Sequence, residues 1–561
     1  MKSLRFLLLA ALLIQGNTVS PVLAADVFVL ANARVYTVDA DRSWAEAVAI
    51  NPAGVIAGVG STKDVLAAFP DADVVDLKRR MVLPGFQDVH LHAVEAGISA
   101  SFCEMPQFGD AATFEAALGE CAVHRDGGEW IMGAGVNMTG LLDSVADPLA
   151  LIDAAVPDRP AVIIDDIGHG AWANSRALAA AGFDRLTEDP AGGLLVRGAD
   201  GQLSGVVLES LSQTLVDMAQ QPTDANLAFA YESLAGAMKV LSANGITTVS
   251  DAGGYWPRGH ETVWKMAERN GILSVRSSNA LYVYPDKPVA QQLSELTRRL
   301  IRDPDALVRF DQAKIYVDGI LTQATGALYA PYAAGLELAP GDQLGFDYFP
   351  RETLFRYARA LSAAGFQLHF HATGDRGVGL ALDAIAAADP ASGPHRITHL
   401  YLVDPKDRPR FAALGVVADF QISPSSIEPT YLNFLTSFIG DRAASILPLR
   451  ALVDSGALVT LSSDWDADEL SPLIKLQTVL TRRRQAAPDL ATAIEMMTIN
   501  PAKLLRHADR TGSIEPGKLA DLAILDRALF EVEPASIGEA NVVATIFQGA
   551  VVFDSEGLFS K

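Results

Sequence analysis

The stretch "LPGFQDVHLHA", residues 83–93, is an apolar run with a turn at Pro84 and Gly85, closed by two histidines one residue apart. The chain has only ten histidines in 561 residues, so the spacing needs a reason. Side chains alternate along a strand, which puts His90 and His92 on one face. Two imidazoles on one face at the C-terminal end of a barrel strand can share a metal ion. The same H-x-H also suits two ordinary polar residues of a loop. The reading is decided by what other strand ends carry.

Working outward, seven further strand-like runs follow, at 245–253, 274–283, 308–319, 366–375, 396–400, 415–423 and 457–464. Helical patterns lie between many of them, as at 225–244 and 351–365. Repeated β then α predicts a parallel sheet, and eight units predict an α/β fold of the (β/α)8, or TIM-barrel, type. The first run ends at 93 and the second begins at 245, and the excess is read as an insertion after the first barrel strand, about 100–225. Short apolar runs punctuated by Gly, Pro and Asn occupy 26–39, 45–60 and 72–77, and again 512–526 and 541–554. They predict a small β-sandwich domain formed from both termini. The resulting division is 1–24 leader, 25–82 first sandwich part, 83–505 barrel and 506–561 second sandwich part.

The other strand ends carry ligand-type residues. The fifth run holds His369 and His371 on a common face, the sixth ends in His399 and the eighth in Asp464. The fourth carries Lys314 inside apolar "AKIYVDG". A buried lysine without a partner is costly, so Lys314 calls for an explanation.

Those pieces resemble the amidohydrolase superfamily, and within it the amidohydrolase-3 branch of metal-dependent hydrolases that includes the N-substituted formamide deformylases. The matching segments are "LPGFQDVHLHA", "DIGHGAWANSRAL" (166–178), "GGLLVRGADGQLSGVVLE" (192–209), "KIYVDG", "HATGDRG" (371–377), "THL", "SSDWD" (462–466), "TINPAKLL" (498–505) and "GSIEPGKLADLAILD" (512–526). They span nearly all of the chain after the leader. The resemblance implies His90 and His92 as ligands of the more buried metal. It implies Lys314 as a carboxylated bridge between two metals, and His371 and His399 as ligands of the second. Asp464 would touch metal and water. The family pattern puts the ligand directly before Ala-x-Gly-Asp, which selects His371 and leaves His369 to a supporting or substrate-side place. His169 becomes a candidate substrate contact and carbonyl donor, with Asp464 and His399 as the other candidate catalytic groups. Zinc suits the imidazole-rich set, one metal or two. The implied reaction is hydrolysis of an amide, formamide or cyclic amide C–N bond by a metal-activated water.

Alternatives remain open at this level. Lys314 could be a plain ammonium paired with a carboxylate such as Asp318. One metal would suit a deaminase of a heterocycle. A third possibility is an exported protein that captures a small ligand without turning it over. Asp375 reads as a turn carboxylate capping the next helix. Trp172 and Asn174 read as structural, and His124, His260, His395 and His507 as surface or helix-edge residues. Arg258, Arg376 and Trp465 lie near loop ends that could meet substrate.

Residues 1–24 carry Lys2 and Arg5, an apolar stretch over 6–14, then Val22 and Ala24. This is the pattern of a secretory signal peptide cut after Ala24, implying a periplasmic or secreted protein. The apolar stretch is far short of the ~20 residues that span a bilayer. Lys plus Arg is 44 against 67 Asp plus Glu, a net charge of −23, which disfavours nucleic acid and anionic membrane surfaces as partners. The expected partners are a small-molecule substrate and a second copy in a homodimer. Cys103 and Cys121 are the only cysteines, and an oxidising compartment would permit one disulfide between them.

Overall fold

The computed structural model describes residues 27–123, 130–333 and 343–560. Eight strands form the central sheet: β1 (Phe86–Leu91), β2 (Ile246–Asp251), β3 (Arg276–Tyr282), β4 (Val308–Tyr316), β5 (Gln367–Ala372), β6 (Arg396–His399), β7 (Val417–Phe420) and β8 (Val459–Leu461). Each pairs in parallel with its sequence neighbour, in the order β8 to β1. The ring closes where Asp464 N–H donates to His90 O at 2.7 Å. Nearly every strand residue is buried, because helices cover the outer face of a parallel barrel.

The register explains how distant residues meet. Lys314 pairs with His369 and His369 with Arg396, forming one inward level. Tyr316 pairs with His371 and His371 with Thr398, forming the next level toward the strand ends. His399 (φ 76°) and Asp464 (φ 58°) both adopt left-handed backbone. That conformation costs a non-glycine residue about 1 kcal/mol or more, and it breaks strand alternation at those two ends.

Between β1 and β2 the insertion builds a sheet of its own. Its order is Gly193–Arg197, Leu203–Glu209, Gly170–Ala173, Ala161–Asp165, Ile131–Val136 and Cys103–Glu104. Trp172 is fully buried there and donates to Pro148 O at 3.0 Å. Asn174 caps helix Ser175–Ala180. Both are structural, as expected. Cys121 is buried, and its Sγ lies 4.0 Å from Met105 Sδ.

Two further sheets pack around Phe28, Leu30, Val48, Val82, Leu522 and Ile546. One holds four N-terminal strands. The other pairs Met81–Pro84 antiparallel with Leu522–Leu525, so both ends of the chain share it. Among the described residues no helix is long and apolar enough to cross a membrane. The leader and His124 lie outside the described residues.

Candidate metal centre and active site

At the mouth of the barrel, His90, His92 and Asp464 offer ligand atoms all within 4.8 Å of one another. Asp464 Oδ1 is 3.3 Å from His90 Nε2 and 3.3 Å from His92 Nε2, and its Oδ2 is 3.8 Å from His399 Nδ1. Lys314 Nζ lies 3.1 Å from His90 Nε2. The His371 and His399 ring centres are 4.3 Å apart, and those of His90 and His399 are 5.0 Å apart. Six residues from five strands or strand ends therefore meet at one point, with β1 supplying two.

Residues 73–553 match the amidohydrolase family, Amidohydro_3. The chain belongs to that family. An N-substituted formamide deformylase of Arthrobacter pascens is 27% identical over 94% of this chain and 98% of its own. The protein LONG AFTER FAR-RED 3 of Arabidopsis thaliana is 25% identical over 95% of this chain and 92% of its own. The crystal structure of an uncharacterized metal-dependent hydrolase from Pyrococcus horikoshii OT3 superimposes with a TM-score of 0.70 at 22% identity, over 91% of this chain and 99% of that one. The two folds are alike over most of both chains. This amidohydrolase is a metal-dependent hydrolase of carbon–nitrogen bonds other than peptide bonds.

The donor set fits a divalent cation. His371 Nδ1 is buried and has no hydrogen-bond partner among the described residues, while its Nε2 donates to Gly319 O at 3.2 Å. An imidazole with one nitrogen tied to a carbonyl and the other bare is the arrangement a metal ligand takes. Burial, reinforced by neighbouring positive groups, holds His90, His371 and His399 well below the ordinary histidine pKa, so these rings are neutral and keep a lone pair. Burial also opposes charge on His92, but Asp464 outweighs it and raises that ring's pKa. Burial alone would raise the Asp464 carboxyl; His90, His92 and His399 pull it well below the usual range.

Lys314 is fully buried, and its pKa falls to about 7, through burial first and Arg396 in support, against the pull of Asp464. Asp318 does not pair with it. That carboxylate accepts from the N–H groups of Ala327, Thr373 and Gly374 at 2.8–3.0 Å and organises the loop after β5. The Lys314–Asp318 ion pair is thereby corrected: three backbone donors already satisfy the acid.

A polar layer supports the candidate ligands from below. His90 Nδ1 is 2.9 Å from Thr398 Oγ1, which donates to Asp419 at 3.0 Å. Asp419 also accepts from Thr460, Ser462 and Gln421. His369 belongs to this layer. Its Nδ1 accepts from Arg396 Nη2 at 2.7 Å, and its Nε2 is 3.2 Å from His90 Nδ1. It is wholly buried beneath His90 and does not line the cavity, so the substrate-side expectation for it is corrected to a supporting one.

His169 reaches the site from the insertion. Its ring centre is 5.1 Å from that of His371 and 5.6 Å from that of Tyr316, and it lines the same cavity as His92, His371, His399 and Asp464. Tyr316 stacks on His371 at 4.2 Å and 13°, fixing its plane. Trp465 also lines the cavity, whereas Arg376 is tied to Asp347 at 2.7 Å and does not. Arg258 lines it but is held by Asp217 at 2.7 Å and Glu95 at 3.2 Å. Asp375 accepts from the N–H groups of Tyr329 and Arg376, a structural duty.

Sequence reading missed several groups. Glu209, Tyr316, Thr398, Arg396 and Asp419 all contact predicted site residues. For Glu209 the local sequence shows only a carboxylate closing the apolar run "GVVLE", with nothing nearby that names its partners. Of the surface or helix-edge reading of His260, His395 and His507, the surface part is corrected, since all three are buried, while His260 does open helix His260–Arg269. His260 is buried 3.0 Å from Glu95, His395 Nδ1 accepts from Leu368 N–H at 3.0 Å, and His507 Nε2 is 3.0 Å from Gln87 Oε1.

Proposed function

We propose that this amidohydrolase cleaves a small amide, formamide or cyclic amide at a two-cation centre held by His90, His92, Lys314, His371, His399 and Asp464. The observation that carries the reading is the meeting of Lys314 with His90 and Asp464 at the convergence of four histidines. A buried amine with a pKa of about 7 can be neutral at neutral pH. Neutral amine adds CO₂ to form a carbamate and releases one proton, which converts Lys314 into an anionic oxygen donor. Zinc suits the imidazole-rich set.

A divalent ion there polarises a carbonyl oxygen and lowers the pKa of water towards ~7. The protein's own groups do the rest. Asp464, ionised and facing the cavity, accepts the proton of the attacking water and returns it to the leaving nitrogen. The water oxygen bonds to the carbonyl carbon, the C–N bond breaks, and a carboxylic acid and an amine result. His169 offers a ring nitrogen to the carbonyl oxygen from the insertion side, and His399 flanks Asp464. Formamides are the first substrates to test, since the Arthrobacter relative is named for deformylating N-substituted formamides. The leader pattern in residues 1–24 supports export to the periplasm or beyond.

The test is cation analysis of zinc-loaded protein together with release of formate and amine from N-alkyl and N-aryl formamides, matched acetamides and lactams. Two cations per chain and formamide turnover are expected. One cation and deamination of a heterocycle would shift the assignment to the one-metal reading. Absence of bound cation or of product would overturn the proposal.

A further inference from the structure

Strand Leu203–Glu209 of the insertion ends in a carboxylate that the ligand set does not use. Glu209 is 1% exposed. Its Oε2 faces His169 Nδ1 at 2.7 Å and accepts from the Tyr348 hydroxyl, and its Oε1 accepts from the Thr325 hydroxyl. Its own N–H donates to His169 O at 2.6 Å, so the two residues are joined through both backbone and side chain. Glu209 sits at φ 60°, ψ −129°, a conformation that costs a non-glycine residue on the order of 1–3 kcal/mol. Such strain persists where surrounding contacts over-determine it, which the three side-chain donors do.

His169 is clamped from its other side as well. Its N–H donates to Asp165 Oδ1 at 2.8 Å, and Asp165 Oδ2 accepts from Gln323. Asp165, His169 and Glu209 belong to the insertion; Gln323, Thr325 and Tyr348 belong to the loop that follows β4. Glu209 is thus a joint between the two bodies. The joint also adjoins the metal ligands. A Cβ on Gly319 would fall 2.0 Å from Glu209 Oε1, and the carbonyl of that same Gly319 accepts from His371 Nε2 at 3.2 Å and from Thr373 Oγ1 at 2.6 Å. One stretch of backbone touches Glu209 on one side and orients a ligand histidine on the other.

We propose that Glu209 is the positioning residue for His169: it occupies Nδ1, so Nε2 is the ring atom left for the substrate's carbonyl oxygen, and it does so across the joint between insertion and barrel. A carboxylate with three donors converging on it is an acceptor, so Nδ1 carries a proton, and the negative charge beside the ring favours a second proton on Nε2, the one that can be donated to a carbonyl oxygen. This deepens the functional reading above and rests on His169 as the carbonyl donor. The insertion then supplies a working group to the reaction, and its docking on the β4 loop is a condition for turnover.

The experiment uses the full-length, zinc-loaded protein. Glu209→Gln keeps the size and removes the charge. It is expected to lower kcat about 100-fold, in the range of a lost proton donor or acceptor, with KM within threefold and cation content unchanged. His169→Asn should lose a similar factor, and the double variant should be no worse than either single variant. Glu209→Asp should recover part of the loss. A second readout needs no turnover: in ¹⁵N spectra of the ring nitrogens, assigned by their disappearance in His169→Asn, the wild type should show Nδ1 and Nε2 both protonated, and Glu209→Gln should shift or remove the Nδ1–H signal. Wild-type kcat in Glu209→Gln, multiplying losses in the double variant, lost cation, or an unchanged ¹⁵N spectrum would each overturn the proposal. A wild type inactive on every amide would instead refute the functional reading, and the spectra would still judge Glu209.

Discussion

At the scale of the residue, Lys314 carries the heaviest demand. It is fully buried, 3.1 Å from His90 Nε2, and its ammonium form is disfavoured by burial and by Arg396. An arginine there keeps its charge at any accessible pH and cannot take up CO₂. Lys314→Arg is expected to lose bound cation and to drop turnover at least about 10³-fold, the combined cost of a ligand and of the water it helps activate. Metal analysis beside kinetics checks this; full cation content with normal turnover would remove Lys314 from the centre. Asp464→Asn should lower kcat by about 10²–10⁴-fold, the usual worth of one proton-transfer group. Single-turnover formate release measures it, and unchanged release would strip Asp464 of its role. These two residues were legible because each breaks an apolar run at a strand end. Glu209 was not. Its partners lie 40, 116 and 139 residues away, and nothing local marks which carboxylate they will surround. His260, His395 and His507 were misread for the same reason: their burial is made by packing between distant segments.

At the scale of the element, the barrel strands read well from the sequence. Parallel strands are buried on both faces, so they appear as continuous apolar runs, and the eight predicted runs contain the eight observed strands. The insertion's inner sheet was less legible, since runs such as "MGAGV" and "GAWA" are short and rich in glycine and alanine. Helix Ala93–Ser99, which follows directly from His92, shows what holds the site's framework in place. Its Glu95 meets Arg258 at 3.2 Å and His260 at 3.0 Å. Burial raises a carboxyl, but Arg258 and His260 overcome it and draw Glu95 down to about 2. A depressed carboxyl pKa gives stability that is complete above the unfolded value near 4.5 and lost as the pH falls from there toward 2. The shift corresponds to an upper bound of order 3 kcal/mol. Glu95→Gln should therefore destabilise the protein by about 1–3 kcal/mol at pH 7, because Arg258 loses a buried partner. It should also flatten the acid limb of stability between pH 4.5 and 2. Urea titrations across that range measure both, and parallel wild-type and variant curves would contradict the assignment.

At the scale of the whole molecule, charge narrows the substrate. The chain carries −23 overall, and the cavity follows suit. Among the described residues that line it, Arg258 and Lys239 are the only lysine or arginine side chains. Arg258 is committed to Glu95 and Asp217 and packs over the Tyr255 ring at 4.0 Å. Lys239 lies near the end of helix Asp224–Ala243, just ahead of β2, which places it by the strand N-termini, opposite the barrel mouth. Around the mouth the lining includes Asp466, Asp468, Glu469 and Glu428 beside Trp465 and Tyr431. A cation held by the site would offset this negative field at the reacting carbonyl, but a charge at the far end of an N-substituent would face the acidic rim. Each like charge a few ångströms off at the protein surface costs on the order of 1 kcal/mol. In formamides of equal size, a carboxylate on the far end of the N-substituent is expected to lower kcat/KM at least about tenfold relative to the neutral compound. The gap should shrink as salt is raised from about 0.01 M to 0.5 M, since the screening length falls from about 30 Å to below 10 Å over that range. An ammonium at the same place should do no worse than the neutral compound. A preference for the carboxylate that salt does not alter would mean that a cationic group other than Arg258 faces the substrate.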